Sequence, residues 1–132
     1  FCPLGLDWGV GGGGCGACVG AGAHTANLSR SITATVQASK LNWLSHPDQA
    51  PLSLTEAFYL ATRGAGSFLG QVGAFLPGFA MDALVLRPSA LDALVERTPF
   101  ERLEQFLYDG DDRNIAARYC AGALIPQPFP QL

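Results

Sequence analysis

Positive charge is what this sequence has least of. Eight lysines and arginines stand against eleven acidic residues over 132 positions, for a formal charge of −3, and Lys40 is the only lysine. With no basic tract to neutralise phosphates, nucleic acid is not an expected partner. Long apolar runs are missing too: none approaches the ~20 residues needed to cross a bilayer. No basic segment followed by an apolar stretch opens the chain as a secretory signal does. Membrane is therefore not an expected partner either, and a soluble, cytoplasmic protein is the expectation. Charged residues make up 14% of the chain against 48% hydrophobic, which is little solubilising charge for a free-standing domain and reads as a piece of something larger. The first residue is Phe1 rather than methionine, in keeping with a chain that is trimmed or incomplete.

Histidine and cysteine, on which metal chemistry depends, are scarce as well. His24 and His46 are the two histidines, and of the four cysteines three, Cys2, Cys15 and Cys18, crowd the start while Cys120 lies far away. That is not the framework of a disulfide-stapled secreted domain, and it agrees with a reducing compartment. Cys15-Gly-Ala-Cys18 forms a CxxC, yet zinc there would need a second ligand pair drawn from His24, His46 and Cys120. A redox role would need the motif to open a helix in a βαβ setting, and it lies in glycine instead. Buried or incidental thiols are the better reading.

Glycine, by contrast, is abundant: nine fall in residues 1–22, including the run Gly11 to Gly14. Ordering so many is entropically costly, so the stretch reads as a flexible lead-in or as a loop whose backbone approaches something closely. Gly9-Val-Gly11-Gly-Gly-Gly14 satisfies GxGxxG. In such a tract the match is nearly automatic, the flanking strand is poor and no acidic ribose ligand follows, so a dinucleotide site is not expected.

From about Thr25 the spacing turns helical, with Leu28, Ile32, Val36 and Trp43 on one face, and Pro47 should stop the helix near His46. Ser53-Leu-Thr-Glu56 is a capping box that starts a second helix with Leu54, Ala57, Phe58 and Ala61 as its stripe. Gly64 is the expected C′ residue. Trp43 and Phe58 are expected in the core, and His46 on the surface. Pro77-Gly78 signals a turn, and Ala83-Leu-Val-Leu86 reads as a strand buried on both faces. Thr98-Pro-Phe-Glu101 repeats the capping logic for a helix with Phe100, Leu103, Phe106 and Leu107 buried, ended by Gly110. Asp111-Asp-Arg-Asn114 reads as a capped polar turn rather than a site cluster. Ile115 to Ile125 reads as strand, tight turn at Ala121-Gly122, strand, and prolines 126, 128 and 130 make the tail irregular.

Two blocks carry a family resemblance. Leu54-Thr-Glu-Ala-Phe-Tyr-Leu-Ala-Thr-Arg-Gly-Ala-Gly-Ser-Phe-Leu-Gly70, with Val72-Gly-Ala-Phe75, Pro77-Gly78 and Asp82-Ala-Leu-Val85, resembles the end of a metal-dependent amidohydrolase. Phe106-Leu-Tyr-Asp-Gly-Asp-Asp-Arg-Asn-Ile115, with Tyr119-Cys-Ala-Gly122, resembles the C-terminal signature of guanine deaminases. The resemblance runs from about Ala23 to Ile125 and corresponds to roughly the last third of such an enzyme. It implies an α/β fold: the C-terminal part of a (β/α)₈ barrel, with strands of a small composite β-sandwich. Residues 1–22 would then hold the last barrel strand and loop, 23–70 the terminal barrel helices, 71–125 sandwich strands with an inserted helix, and 126–132 a proline-rich tail.

The implied activity is deamination of guanine to xanthine and ammonia in purine catabolism. One zinc ion activates the attacking water while carboxylates move protons. The family's ligands are a His-x-His pair, two further histidines and an aspartate after the eighth barrel strand, where barrel chemistry sits. Two histidines without His-x-His cannot complete that set, so this chain alone should be inactive, its remaining ligands lying upstream. The aspartate slot admits two registers. The preferred one aligns Val19-Gly-Ala-Gly22 with the family loop and puts Cys18 in the slot, because strand-to-helix loops are usually ~2 to 6 residues long; the other puts Asp7 there. A thiolate can bind zinc but does not shuttle a proton as a carboxylate does. His24 falls where the family loop faces the substrate, and a helix-start hydrogen bond is its plainer role. Guanine is the implied small-molecule partner, and a homodimer is left open. A rival reading is a non-catalytic remnant, or an interaction module, that kept the helices and lost the chemistry.

Overall fold

The structure, a computed structural model, describes residues 27–66, 69–87 and 96–126. The chain divides into two compact units, Phe1–Gly70 and Gln71–Leu132. Helix and sheet are both present, as an α/β class requires.

In the first unit, helix α1 spans Leu28–Ser45. It starts later than the expected position near Thr25 because Asn27 caps it: Asn27 is extended, and its Oδ1 accepts from the amides of Ser29 and Arg30 at 3.0 and 3.3 Å. The helix ends where Pro47 predicts, at His46, which leaves helical geometry while its N–H still reaches the Asn42 carbonyl. Helix α2 spans Leu54–Tyr59. Its capping box forms in full: Glu56 N–H donates to Ser53 Oγ at 3.2 Å and Ser53 N–H donates to Glu56 Oε2 at 2.8 Å.

The two helices share a small apolar core of Ile32, Val36, Leu54, Ala57 and Ala61, all buried. Ser39, buried within α1, accepts the Leu52 amide at 3.0 Å and donates to the Val36 carbonyl at 2.7 Å. That bond sets the start of α2 alongside the middle of α1, so the last turns of α1 extend past it. Trp43 is consequently 45% exposed and not a core residue, its Nε1 donating to the Pro47 carbonyl at 3.3 Å. Leu28, on the expected stripe, is also exposed, and Phe58 is half-buried. Gly64 does not end α2. The helix widens into a π turn over Leu60–Gly64 and runs on through Gly66, and the positive φ a C′ glycine would supply appears at Gly70 instead.

The second unit holds β1 (Ala83–Leu86), α3 (Pro99–Asp109), a 3₁₀ turn (Asp112–Asn114), β2 (Ile115–Cys120) and β3 (Ala123–Ile125). The strands form one antiparallel sheet in the order β1-β2-β3, with Ala83 opposite Tyr119, and Arg118 between Leu84 and Ile125. Pro77-Gly78 makes its turn, Gly78 at φ +87° and the Phe79 amide on the Leu76 carbonyl at 3.0 Å. Helix α3 begins at the expected capping box of Thr98 and Glu101 with Pro99 in its first turn.

Strand β1 departs from its expected burial. It lies at an edge of the sheet, with Leu84 54% and Val85 46% exposed, because no second layer of described residues covers either face there. Helix α3 is likewise only partly covered: Leu107 is buried, Leu103 and Phe106 are half-buried and Phe100 is exposed.

Candidate functional site

The residues singled out for chemistry, Asp7, Cys18 and His24, lie outside the described residues, as do the CxxC and the glycine run. Among the described residues no group of three or more His, Cys, Asp or Glu side chains is arranged to hold a metal ion. His46 is exposed, its Nδ1 3.4 Å from the Asn42 carbonyl, and Cys120 is an exposed free thiol. The donor set of a zinc centre is therefore not assembled by this part of the chain.

The segment Phe106–Ile115 is better described, and most of it builds local structure. Asp111 accepts from the Arg113 amide at 2.9 Å, and Asn114 Oδ1 accepts from the Asp111 amide at 3.1 Å, so the two cap the 3₁₀ turn reciprocally. The Arg113 guanidinium folds back onto Asp111, Nε to Oδ2 at 2.9 Å. The hydrogen bonds from Arg113 hold the Asp111 carboxyl below the usual range, and the arginine is raised in return. Both side chains are solvent-facing, 42% and 90% exposed, so the turn reading of this cluster holds.

Gly110 has a different reason to be glycine. Its φ of −75° suits any residue, but an added Cβ would fall inside contact distance of the Phe106 ring and carbonyl. The glycine is needed so that the ring can lie against the chain. Further along, the hairpin turn between β2 and β3 places Ala121 at φ +48° and Gly122 at φ +81°, the pair of left-handed residues a type I′ turn demands. Ala121 tolerates that conformation because its N–H donates to Asp82 Oδ1 at 2.8 Å, and the Gly122 N–H donates to the Met81 carbonyl at 2.9 Å.

Sequence reasoning missed the Asp82 clasp and the link from the Arg87 amide to the Asn114 carbonyl at 2.6 Å. The signal for the first was present, an Asp before a strand and an Ala-Gly turn, but 39 positions separate the partners. The two residues of that second link, Arg87 and Asn114, both line a groove of about 500 Å³ between α3 and the end of β1.

No family model matches the chain. The guanine deaminase of Dictyostelium discoideum is 30% identical over 111 residues, which are 79% of this chain and 25% of that enzyme. A solved C. acetobutylicum guanine deaminase with guanine bound in its active site superposes with a TM-score of 0.72 and 45% identity, over 77% of this chain and 24% of that one. The Escherichia coli guanine deaminase superposes with a TM-score of 0.60 and 31% identity over 78% of this chain and 25% of its own. The class so defined is that of the amidohydrolases. Within it, the chain belongs with the guanine deaminases, as a fragment that spans about a quarter of the length of the relatives it matches.

Proposed function

We propose that the chain is the C-terminal part of a cytoplasmic enzyme that hydrolyses guanine to xanthine and ammonia. The observation that supports this most is the 45% identity, at a TM-score of 0.72, to the guanine-bound deaminase. On this reading residues 1–22 supply the last strand and loop of a (β/α)₈ barrel, 23–70 its terminal helices, 71–125 strands of a small sandwich with an inserted helix, and 126–132 the tail. Zinc would supply the hydrolytic activation of water in the whole enzyme. The described residues do not fit that ion, so their role is to build the scaffold beside the chemistry. This chain's own contribution to the centre would be one ligand, Cys18 in the preferred register or Asp7 in the other, and His24 on the substrate side.

Replacing the corresponding quarter of the E. coli enzyme with this chain, and measuring ammonia released from guanine, tests the reading. The chimera is expected to turn over guanine, slowly with Cys18 in place and faster as Cys18→Asp, with Asp7→Asn neutral. Loss of activity on Asp7→Asn would move the ligand to Asp7. A folded chimera that is inert in every form would overturn the enzyme reading in favour of a non-catalytic remnant.

A further inference from the structure

We propose that the groove along α3 is a binding site for a small organic anion with a flat apolar body, of which an aryl carboxylate is the simplest case. Its volume of about 500 Å³ is that of an ordinary small-ligand pocket. Pro99, Arg102, Leu103 and Phe106 line it from one helical face, spaced as such a face requires. Leu86 and Arg87 line it from the end of β1, and the Arg87 amide is anchored on Asn114, itself part of the lining.

The lining sorts chemically. Leu86, Leu103 and Phe106 offer an apolar surface, the Phe106 ring held in place only because residue 110 has no side chain. The charged residues of the lining are Arg87, which already has a partner of its own, Arg102 and Asp109. Arg102 has no ion-pair or side-chain hydrogen-bond partner among the described residues, and a guanidinium presents a planar fork matched to a carboxylate. Asp109 follows Arg102 by seven residues, or roughly 10 Å along the helix axis. An anionic group therefore belongs at the Arg102 end, with the apolar body over Phe106 and Leu103.

Titration of the isotopically labelled 132-residue chain tests this with four probes: benzoate, acetate, inorganic phosphate and benzylamine. Benzoate is expected to shift the Gly110 and Asn114 amides saturably, acetate and phosphate more weakly, and benzylamine not at all. Arg102→Gln should weaken benzoate about fivefold, the scale of one solvent-facing ion pair, and Arg102→Lys should restore part of the loss. Arg102 is exposed, so both variants keep the fold, which the same spectra check. Gly110→Ala should weaken benzoate by moving the Phe106 ring while leaving Arg102 in place. Absence of a saturable shift, phosphate binding as tightly as benzoate, equal binding of benzylamine, or indifference to Arg102→Gln would each overturn the proposal.

Discussion

The two halves of the chain are held together by different physics. Among the described residues the helical unit has a core of five buried apolar residues, with Ile32 2% and Ala57 0% exposed, and a partly buried hydrogen bond from the Leu52 amide to Ser39 that ties the start of α2 to α1. Among its described residues the strand-bearing unit buries only Leu107 of the large apolar side chains, while Phe75, Leu84 and Leu124 stand more than half exposed. Its order comes from the ladder and from polar clasps: Asp82 on the Ala121 amide, the Arg87 amide on Asn114, and the reciprocal caps of Asp111 and Asn114. Burial stabilises in proportion to area removed from water, whereas a hydrogen bond open to water contributes about 1 kcal/mol. The difference teaches that truncations of similar size should have unequal costs in the two units.

The sharpest form of that contrast is a pair of side-chain truncations. Ile32→Ala removes three carbons from a close-packed site and should cost about 3 kcal/mol, read as lost amide protection in α1 and α2. Leu84→Ala removes as many from a side chain in a residue already 54% exposed, and should cost under about 1 kcal/mol. Equal losses, measured by denaturant titration and hydrogen exchange, would erase the distinction between the units.

The clasps of the second unit predict an intermediate effect. Asp82→Ala removes the acceptor that steadies Ala121 in its left-handed conformation and should cost about 1 kcal/mol, read in the protection of β2 and β3. Ala121→Gly at the same turn relieves the Cβ penalty and should offset much of that loss in the double variant. If the double variant were no more stable than Asp82→Ala alone, strain at Ala121 would not be what the clasp manages.

The same division explains what could be read from the sequence. Both helix-start capping boxes, the stop before Pro47, the Pro77-Gly78 turn and the polar turn at Asp111 were legible, because each is decided within four residues. Trp43 and Ala83–Leu86 were misjudged because burial depends on what packs opposite, and periodicity does not carry that information. Gly64 looked like a helix end, but the wider π turn absorbs it. The register that brings Arg87 beside Asn114, and with it Arg102 into a shared groove, is set by pairing β1 with β2 and has no local signature. Of the chemistry-bearing residues, Asp7, Cys18 and His24 lie outside the described residues, so their assignment rests on the resemblance of neighbouring blocks.

Acid supplies the smallest and most evenly shared effect. Glu56 is held below the usual carboxylate range, first by the Ser53 amide and then by its hydroxyl. Glu101 is held low in the same way by Thr98, and Asp111 by Arg113. A carboxyl whose value is depressed on folding contributes stability that is fully present above its unfolded value, about 4.3 for Glu and 3.9 for Asp. That contribution is lost as pH falls through the lower folded value. Both units should therefore weaken on acidification through this window, the second more than the first because, among the described residues, it carries two such groups to the other's one. Following the amide protection of each unit from neutral pH downward checks the order, and Glu56→Gln should flatten the response of the helical unit alone. A helical unit that lost more stability to acid than the strand-bearing one would show that groups other than these caps govern its response.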